Sequence, residues 1–255
     1  MKWIKIPFLL IWRAWFYILM FTTIILMLPG LLILSSKESY YPKFWKMIRI
    51  WSFILVYGMG FRVKKQLDQE IEPNKSYMFC PNHASLMDPF VLITLSKNPI
   101  VFVGKKELVK IPIFGFFYRR VVIMVDRSSH KSRKRVFAMA KERLKNGTSI
   151  GIFPEGLVPS EDVILAPFKN GAFSLAIEFE IPIVPQTYYD GKRLFSWNFL
   201  KGGMGSFRIR QHSFIDTKEL DAKDDVEMLK KKTFDIIYNE LTSDEFYMAA
   251  ANHKK

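Results

Sequence analysis

The stretch Tyr77–Asp88, with the sequence YMFCPNHASLMD, joins a short apolar run to a polar turn. Tyr77–Cys80 is typical of a buried strand, because it is short, apolar and rich in aromatic residues. Asp88 followed by Pro89 is typical of a helix start, since aspartate caps helices and proline suits their first turn. The stretch therefore predicts a strand, a turn and a helix in succession, which is the building unit of an α/β fold.

His83 and Asp88 have the chemistry of a general base and of the carboxylate that orients it. On one continuous helix, five residues would leave the two side chains about 140° apart, so they converge only if a turn separates them. Asp88 would then hold one imidazole nitrogen while the other faces a substrate hydroxyl, an arrangement typically worth about 10²–10⁴-fold in rate. Each residue also has a structural alternative, as a core histidine and as a helix cap.

The remainder of the chain alternates short β-branched or aromatic runs with helical patterns. Further strands are predicted at 100–103, 121–125, 149–153, 183–186 and 206–210, and helices at 129–145, 172–179 and near the C-terminus from 226 to 241. This alternation favours an α/β domain over residues 62–255, with a mixed, mostly parallel sheet flanked by helices.

Residues 1–61 have a different composition and predict a membrane-associated helical segment. Residues 14–36 contain no charge, and 23 residues are about enough to cross a bilayer core. Basic residues flank this run on both sides, which favours a hairpin in one leaflet, bent at Pro29–Gly30, over a clear single crossing. Five of the six tryptophans lie in this segment and suit a membrane interface. A signal peptide and a buried helix of a soluble protein are alternatives.

The charge balance narrows the class of partner. Lys and Arg number 38 against 24 acidic residues, a net charge of +14, which fits a nucleic-acid binder, a membrane-surface protein or an enzyme with anionic substrates. No nucleic-acid signature accompanies the charge, so an anionic membrane is the expected partner. Cys80 is the only cysteine, which excludes an intrachain disulfide, and no metal-ligand spacing is present. We expect Cys80 to be a core residue.

A second polar segment, Ile152–Gly156 with the sequence IFPEG, also follows an apolar run. It predicts Glu155 at a sheet edge, where the sites of α/β proteins collect.

These two segments, NHASLMD and FPEG, resemble the first and third sequence blocks of the glycerolipid acyltransferase family, whose type is bacterial 1-acylglycerol-3-phosphate acyltransferase. Further stretches resemble that family in the same order along the chain. They are GKKEL at 104–108, IPIFG at 111–115, VDR at 125–127, PFKNGAF at 167–173 and IPIVP at 181–185.

The resemblance implies transfer of a fatty acyl chain from acyl-CoA or acyl carrier protein to the free hydroxyl of 1-acylglycerol 3-phosphate, giving phosphatidic acid. His83 is the implied general base and Asp88 its partner, with no metal and no cofactor besides the acyl donor. The implied location is a bacterial inner membrane, with the catalytic domain on the cytoplasmic face. The implied acceptor-binding residues are Glu155 and Gly156. Asn82 and the basic residues Lys105, Lys106, Arg127 and Lys169 are further candidates for binding substrate, and solvated surface charges are the alternative for the four basic residues.

One departure from the family pattern concerns the acceptor. The FPEG block of the family usually continues with an arginine that binds the acceptor phosphate, whereas this chain has Val158 at that position. Either nearby basic residues compensate, or the acceptor lacks a phosphomonoester, as a lyso-ornithine or lyso-glycine lipid does. A non-catalytic membrane scaffold with the same fold is the third alternative.

Overall fold

The computed structural model describes residues 2–110, 114–125, 130–221 and 224–252. The helices are α1 (Lys2–Ser35), α2 (Tyr41–Gly58), α3 (Asp88–Leu95), α4 (Phe114–Val121), α5 (His130–Lys145), α6 (Gly171–Glu178), α7 (Gly191–Leu194), α8 (Val226–Ser243) and α9 (Glu245–Asn252). The strands are β1 (Phe61–Leu67), β2 (Met78–Pro81), β3 (Ile100–Lys105), β4 (Val122–Val125), β5 (Ser149–Gly151), β6 (Ile183–Tyr188) and β7 (Gly205–Gln211).

The described strands form one seven-stranded sheet with the order β1-β7-β6-β2-β5-β3-β4. Every neighbouring pair is parallel except β6 and β7, which are antiparallel. The predicted fold class, a mixed and mostly parallel sheet flanked by helices, is confirmed. Because β2 and β5 are adjacent and parallel, the segments that follow them leave the same edge of the sheet.

Alternating side chains of β2 divide the core into two layers. Phe79 points into an apolar cluster with α1, α2 and α3, whereas Met78 and Cys80 point into a second cluster with α5, α6 and α8. This is the two-residue period of a strand that is covered on both faces. Cys80 is fully buried, and desolvation raises the pKa of its thiol, so its predicted place in the core is confirmed.

The edge strand β1 and the last helix α9 were not predicted from the sequence. In β1, Arg62, Lys64 and Lys65 hide the strand pattern, because an edge strand tolerates charges that a central strand excludes. The predicted boundary after residue 61 falls where α2 gives way to β1. A single apolar cluster nevertheless joins α1 and α2 to the sheet, and the division into two domains stays a prediction.

The two N-terminal helices form the predicted hairpin, but its turn lies at 36–40. Helix α1 continues through Pro29, so the chain does not reverse direction at Pro29–Gly30 as expected. Gly30 instead lets the helices approach closely, since a Cβ there would lie 2.7 Å from the Cε atom of Met47. Gly58 does the same for α1, where a Cβ would meet Leu19 at 2.6 Å.

Three of the tryptophans predicted at a membrane interface are buried in the protein. Trp12 donates to the carbonyl of Met59 at 3.1 Å, and Trp51 donates to the hydroxyl of Thr23 at 2.9 Å. Trp45 is also buried, within the same apolar cluster. The indole N–H groups of Trp12 and Trp51 find their partners between helices and no longer need the interface, whereas Trp45 is held by apolar packing and its N–H has no partner among the described residues. The interfacial prediction is therefore wrong for these three residues.

Both ends of the hairpin are bound to the α/β sheet and its helices. At the turn, the Glu38 carboxylate lies 2.8 Å from Arg120 and 2.5 Å from Arg143. At the other end, the guanidinium of Arg13 donates to the carbonyls of Ser196 and Lys201, both at 2.6 Å. The hairpin is thus held against the domain from its turn to Arg13.

The outer face of α1 is apolar and exposed. Ile11, Ile18, Ile25 and Leu32 recur every seven residues, which places them in one stripe along the helix, and all four are exposed. Trp12 and Phe16 on the opposite face are buried in the apolar cluster. A helix that is apolar on both faces is typical of one that contacts protein on one side and lipid on the other. By length and composition, α1 is long and apolar enough to cross a membrane.

Candidate active site

The predicted strand, turn and helix bring His83 and Asp88 together. Strand β2 ends at Pro81 and α3 begins at Asp88, so residues 82–87 form the turn. Nδ1 of His83 lies 2.9 Å from Oδ2 of Asp88, a hydrogen-bond distance. The geometry on which the catalytic hypothesis depends is therefore present.

The carboxylate of Asp88 is fixed by its own loop. The same Oδ2 atom accepts the backbone N–H groups of Ala84 at 2.6 Å and Ser85 at 2.7 Å, and the side chain is fully buried. Two main-chain donors and the imidazole thus hold one carboxylate oxygen at a fixed point. These three contacts restrict the carboxylate to the orientation in which it meets the imidazole.

Gly191 forms part of the wall around Asp88. A Cβ at this position would lie 2.8 Å from the Cβ of Ala84 and 3.0 Å from Oδ1 of Asp88. We expect Gly191→Val to push the turn of residues 82–87 away from α7. The rate of the reaction that His83 assists should then fall at least about 10-fold, because small misplacements of catalytic groups are costly. Steady-state assays of the folded variant measure this effect. An unchanged rate would show that the loop has room to spare.

The imidazole of His83 is partly exposed and packs against an aromatic ring. Its ring stacks on Phe153 with the ring centres 4.2 Å apart, and 18% of the side chain is exposed. Within the described ranges, no hydrogen bond is found at Nε2. One nitrogen is thus held by the carboxylate, while the other is left without a protein partner among the described residues.

Glu155 joins the two segments that follow β2 and β5. Its Oε1 accepts the backbone N–H of His83 at 2.6 Å, and its Oε2 accepts that of Ala166 at 2.8 Å. Burial raises the pKa of this carboxyl to about 7, against the two hydrogen bonds and the nearby His83 and Lys192, which lower it. Glu155 therefore connects the turn of residues 82–87 to the loop that follows the FPEG segment.

The raised pKa gives Glu155 an expected effect on stability. Because the folded chain binds this proton more tightly than the unfolded chain, the free energy of unfolding falls as pH rises from 4.5 to about 7. The fall contributed by this one group is up to about 3 kcal/mol. Urea unfolding of wild type and Glu155→Gln at about pH 5 and about pH 8 measures it, since glutamine does not titrate. We expect the free energy of unfolding of the variant to rise relative to that of wild type at the higher pH. A difference between the two proteins that is independent of pH would contradict this.

Lys192 is a residue of the site that the sequence did not reveal. It is buried, and its Nζ donates to the carbonyl of Ser160 at 3.0 Å and to that of Val163. These bonds hold the loop between Glu155 and Ala166 in place. No motif marks this lysine, because its partners lie about 30 residues away along the chain.

The remaining predicted substrate-binding residues differ in how the structure places them. Asn82 bonds the main chain of Tyr188 with both ends of its amide, at 3.1 and 2.7 Å, and so joins the ends of β2 and β6. Gly156 has a φ of +73°, which suits glycine in the sharp turn after Glu155. The Lys169 side chain is exposed. Contact of these three residues with substrate stays a prediction.

Three further predicted residues fall where the structure gives no side-chain information. Arg127 lies outside the described residues, and the side chains of Lys105 and Lys106 are likewise not described, although their main chain forms the end of β3 and the start of a 3-10 helix. Val158, at the position of the family's arginine, is half-buried.

Comparisons with known proteins find similar acyltransferases. A relative from Brassica napus, the chloroplastic 1-acyl-sn-glycerol-3-phosphate acyltransferase BAT2, is 29% identical over 166 residues, covering 64% of this chain and 48% of that protein. The 1-acyl-sn-glycerol-3-phosphate acyltransferase of Salmonella typhimurium is 32% identical over 151 residues, covering 58% and 60%. The matches thus span about half to three fifths of these relatives.

A solved structure shares the fold over nearly the whole chain. The 1-acyl-sn-glycerophosphate acyltransferase of Thermotoga maritima superposes with a TM-score of 0.76, covering 95% of this chain and 98% of that one, at 22% identity. The profile of the family described as acyltransferase matches residues 62–189, about half of the chain, and this range contains the His83–Asp88 pair and Glu155. The chain therefore belongs to the acyltransferase family.

Proposed function

We propose that this protein transfers a fatty acyl group from acyl-CoA or acyl carrier protein to the free hydroxyl of 1-acylglycerol 3-phosphate at a membrane surface. The observation that carries the proposal is the 2.9 Å contact between His83 and the buried carboxylate of Asp88, with 18% of the His83 side chain exposed. The names of the relatives support this reaction class and its place in phospholipid synthesis.

The proposed mechanism needs no covalent enzyme intermediate. Nε2 of His83 takes the proton of the acceptor hydroxyl, whose oxygen attacks the thioester carbonyl and forms the new C–O bond. The tetrahedral intermediate then collapses, the C–S bond breaks, and the leaving thiolate takes the proton back from the imidazolium. Asp88 stabilises the imidazolium while it exists. Cys80 takes no part, because it is buried in the core on the other layer.

The way in which the hairpin is held supports the membrane placement that we propose. Glu38 ties its turn to Arg120 and Arg143, and Arg13 ties its other end to the 196–201 loop. A perpendicular crossing would carry the turn to the far side of the bilayer, away from these partners. The exposed stripe of α1 therefore lies in one leaflet, with the catalytic domain on the same side. In a bacterial cell, we place the protein at the cytoplasmic face of the inner membrane.

A lyso-amino-acid lipid is the second candidate acceptor, and Val158 favours it. An apolar side chain cannot replace the bidentate contact of an arginine with a phosphate. Lys169 is exposed after the FPEG segment and is one replacement cation, as are Lys105, Lys106 and Arg127. A non-catalytic scaffold is less well supported, because a scaffold has no use for an oriented histidine and a buried carboxylate beside it.

The acceptor is tested with the purified full chain, supplied with lysophosphatidic acid or with lyso-ornithine lipid and with either acyl donor. Mass spectrometry of the products identifies the acceptor, and His83→Ala is the matched control. We expect phosphatidic acid from the wild type and none above background from the variant. Product from lyso-ornithine lipid alone would select the second acceptor, and no product from either would count against both enzymatic proposals.

A further inference from the structure

The loop between α7 and β7 exposes four large apolar side chains within eight residues. Trp197 is 59% exposed, Leu200 is 52% exposed and Met204 is 56% exposed, and Phe199 between them is also exposed. A cluster of this kind on a surface loop is costly in water and is typical of a surface that contacts a partner or a membrane. The catalytic chemistry described above makes no use of these side chains.

The loop is bound to the first helix of the hairpin by a buried arginine. Arg13 donates to the main-chain carbonyls of Ser196 and Lys201 at 2.6 Å and of Asn198 at 3.3 Å. Its guanidinium also lies 4.0 Å from the ring centre of Phe195. A charged group that meets three carbonyls and an aromatic face fixes the loop relative to α1.

The apolar side chains of the loop therefore lie beside exposed apolar residues of α1. Leu10 and Tyr17 are three and four residues from Arg13, so they lie on its side of the helix, and both are exposed. On the other side, Met204 packs over the end of α2, since a Cβ on Gly60 would lie 2.7 Å from the Cγ atom of Met204. The loop thus bridges both helices of the hairpin at one end.

The composition of the loop matches the boundary of a bilayer. Tryptophan prefers the headgroup level, and apolar neighbours reach into the acyl region, while lysine extends back to water. Lys201 is exposed beside Leu200, and its ammonium bonds Glu161 at 2.5 Å on the domain side. We propose that residues 197–204 are a second lipid-contacting element, seated in the same leaflet as α1. This inference rests on the proposed placement of the hairpin.

The loop is also connected to the catalytic turn. The hydroxyl of Ser85 donates to the carbonyl of Phe195 at 2.9 Å, directly before the loop. Gly191, at the start of α7, lies against Asp88. Lipid contact at 197–204 therefore places the turn that carries His83 near the bilayer surface. A monoacylated acceptor lipid would reach the histidine from that surface.

Single-cysteine labelling tests the proposal in the full chain. Leu200→Cys carries an environment-sensitive NBD fluorophore in the loop, Ile18→Cys carries it on the stripe of α1, and Met228→Cys on α8 is the matched control. Met228 is 47% exposed and lies on the helix layer across the sheet from the hairpin. The native Cys80 is fully buried, and unmutated protein measures any labelling of it.

The readout is emission after reconstitution into phosphatidylglycerol–phosphatidylethanolamine vesicles, with and without a lipid that carries a shallow nitroxide quencher. We expect the emission of the fluorophores at positions 18 and 200 to shift to the blue in vesicles. The quencher lipid should remove at least about half of that emission, since interfacial elements lie about 5–10 Å deep. The fluorophore at position 228 should show neither change. Quenching at 18 but not at 200 would overturn this inference and leave the hairpin placement standing. Quenching at neither would contradict both.

A second copy of the chain is the competing occupant. If residue 200 becomes shielded without vesicles as protein concentration rises, the loop is a self-association surface and the lipid proposal is wrong. Shielding that requires vesicles and is independent of protein concentration supports it.

Discussion

Asp88→Asn is expected to remove most of the acyl transfer activity, by about 10²–10⁴-fold, in a protein that still folds. The asparagine oxygen can replace Oδ2 and still accept the N–H groups of Ala84 and Ser85, which lie at 2.6 and 2.7 Å. It carries no charge, however, and so cannot stabilise the imidazolium that forms on His83. Its amide nitrogen would also face Gly191, in place of Oδ1, which has no hydrogen-bond partner among the described residues.

The stability of this variant is measured beside its rate. A buried amide without a partner costs about 1–3 kcal/mol, which lowers the melting temperature without preventing folding. Steady-state rates at a temperature where both proteins are folded separate the two effects. Full activity in a folded Asp88→Asn protein would show that the charge at this position is not needed.

Deletion of residues 1–61 is expected to unfold the chain, and not merely to release a soluble enzyme from the membrane. The hairpin contributes fully buried side chains to the same apolar cluster as the sheet, among them Phe16, Phe44, Trp45 and Leu55. Each such side chain is worth about 1.5–3 kcal/mol, and their sum reaches the whole stability of an ordinary domain. Tyr41 additionally bonds the carbonyl of Ile100 in β3 at 3.0 Å.

A matched control leaves the buried face of the hairpin intact. Changing Ile11, Ile18 and Ile25 together to serine alters only the exposed stripe of α1. We expect this variant to keep a cooperative thermal transition and to bind vesicles more weakly, whereas the 62–255 fragment shows no transition. A fragment that is soluble, cooperative and active would contradict the structural role given to the hairpin.

Local sequence patterns predicted the centre of the sheet and the catalytic turn. The apolar run before Pro81 and the Asp88–Pro89 pair predict a strand and a helix start from local residue preferences alone. The five-residue spacing between His83 and Asp88 then required the turn that is observed. Strand β1 was not predicted, because its charged residues obscure the strand pattern and are tolerated only at the edge of a sheet. The three buried tryptophans were misplaced because the amphipathic indole suits a membrane interface and the packing between two helices equally well.

Long-range contacts account for what could not be predicted. Gly191 touches Asp88 from more than a hundred residues away, and Arg13 meets the 196–201 loop from the other end of the chain. Neither residue belongs to a motif, so only the fold shows that each supports the site. The same holds for Lys192 and its two carbonyl partners.

The rate of acyl transfer by purified His83→Ala, compared with wild type on the preferred acceptor, tests the central claim most directly. Cys80→Ala serves as the control for a thiol nucleophile, and thermal unfolding verifies that both variants are folded. We predict a loss of at least about 10²-fold for His83→Ala and a rate close to wild type for folded Cys80→Ala. An undiminished rate in folded His83→Ala would contradict the account.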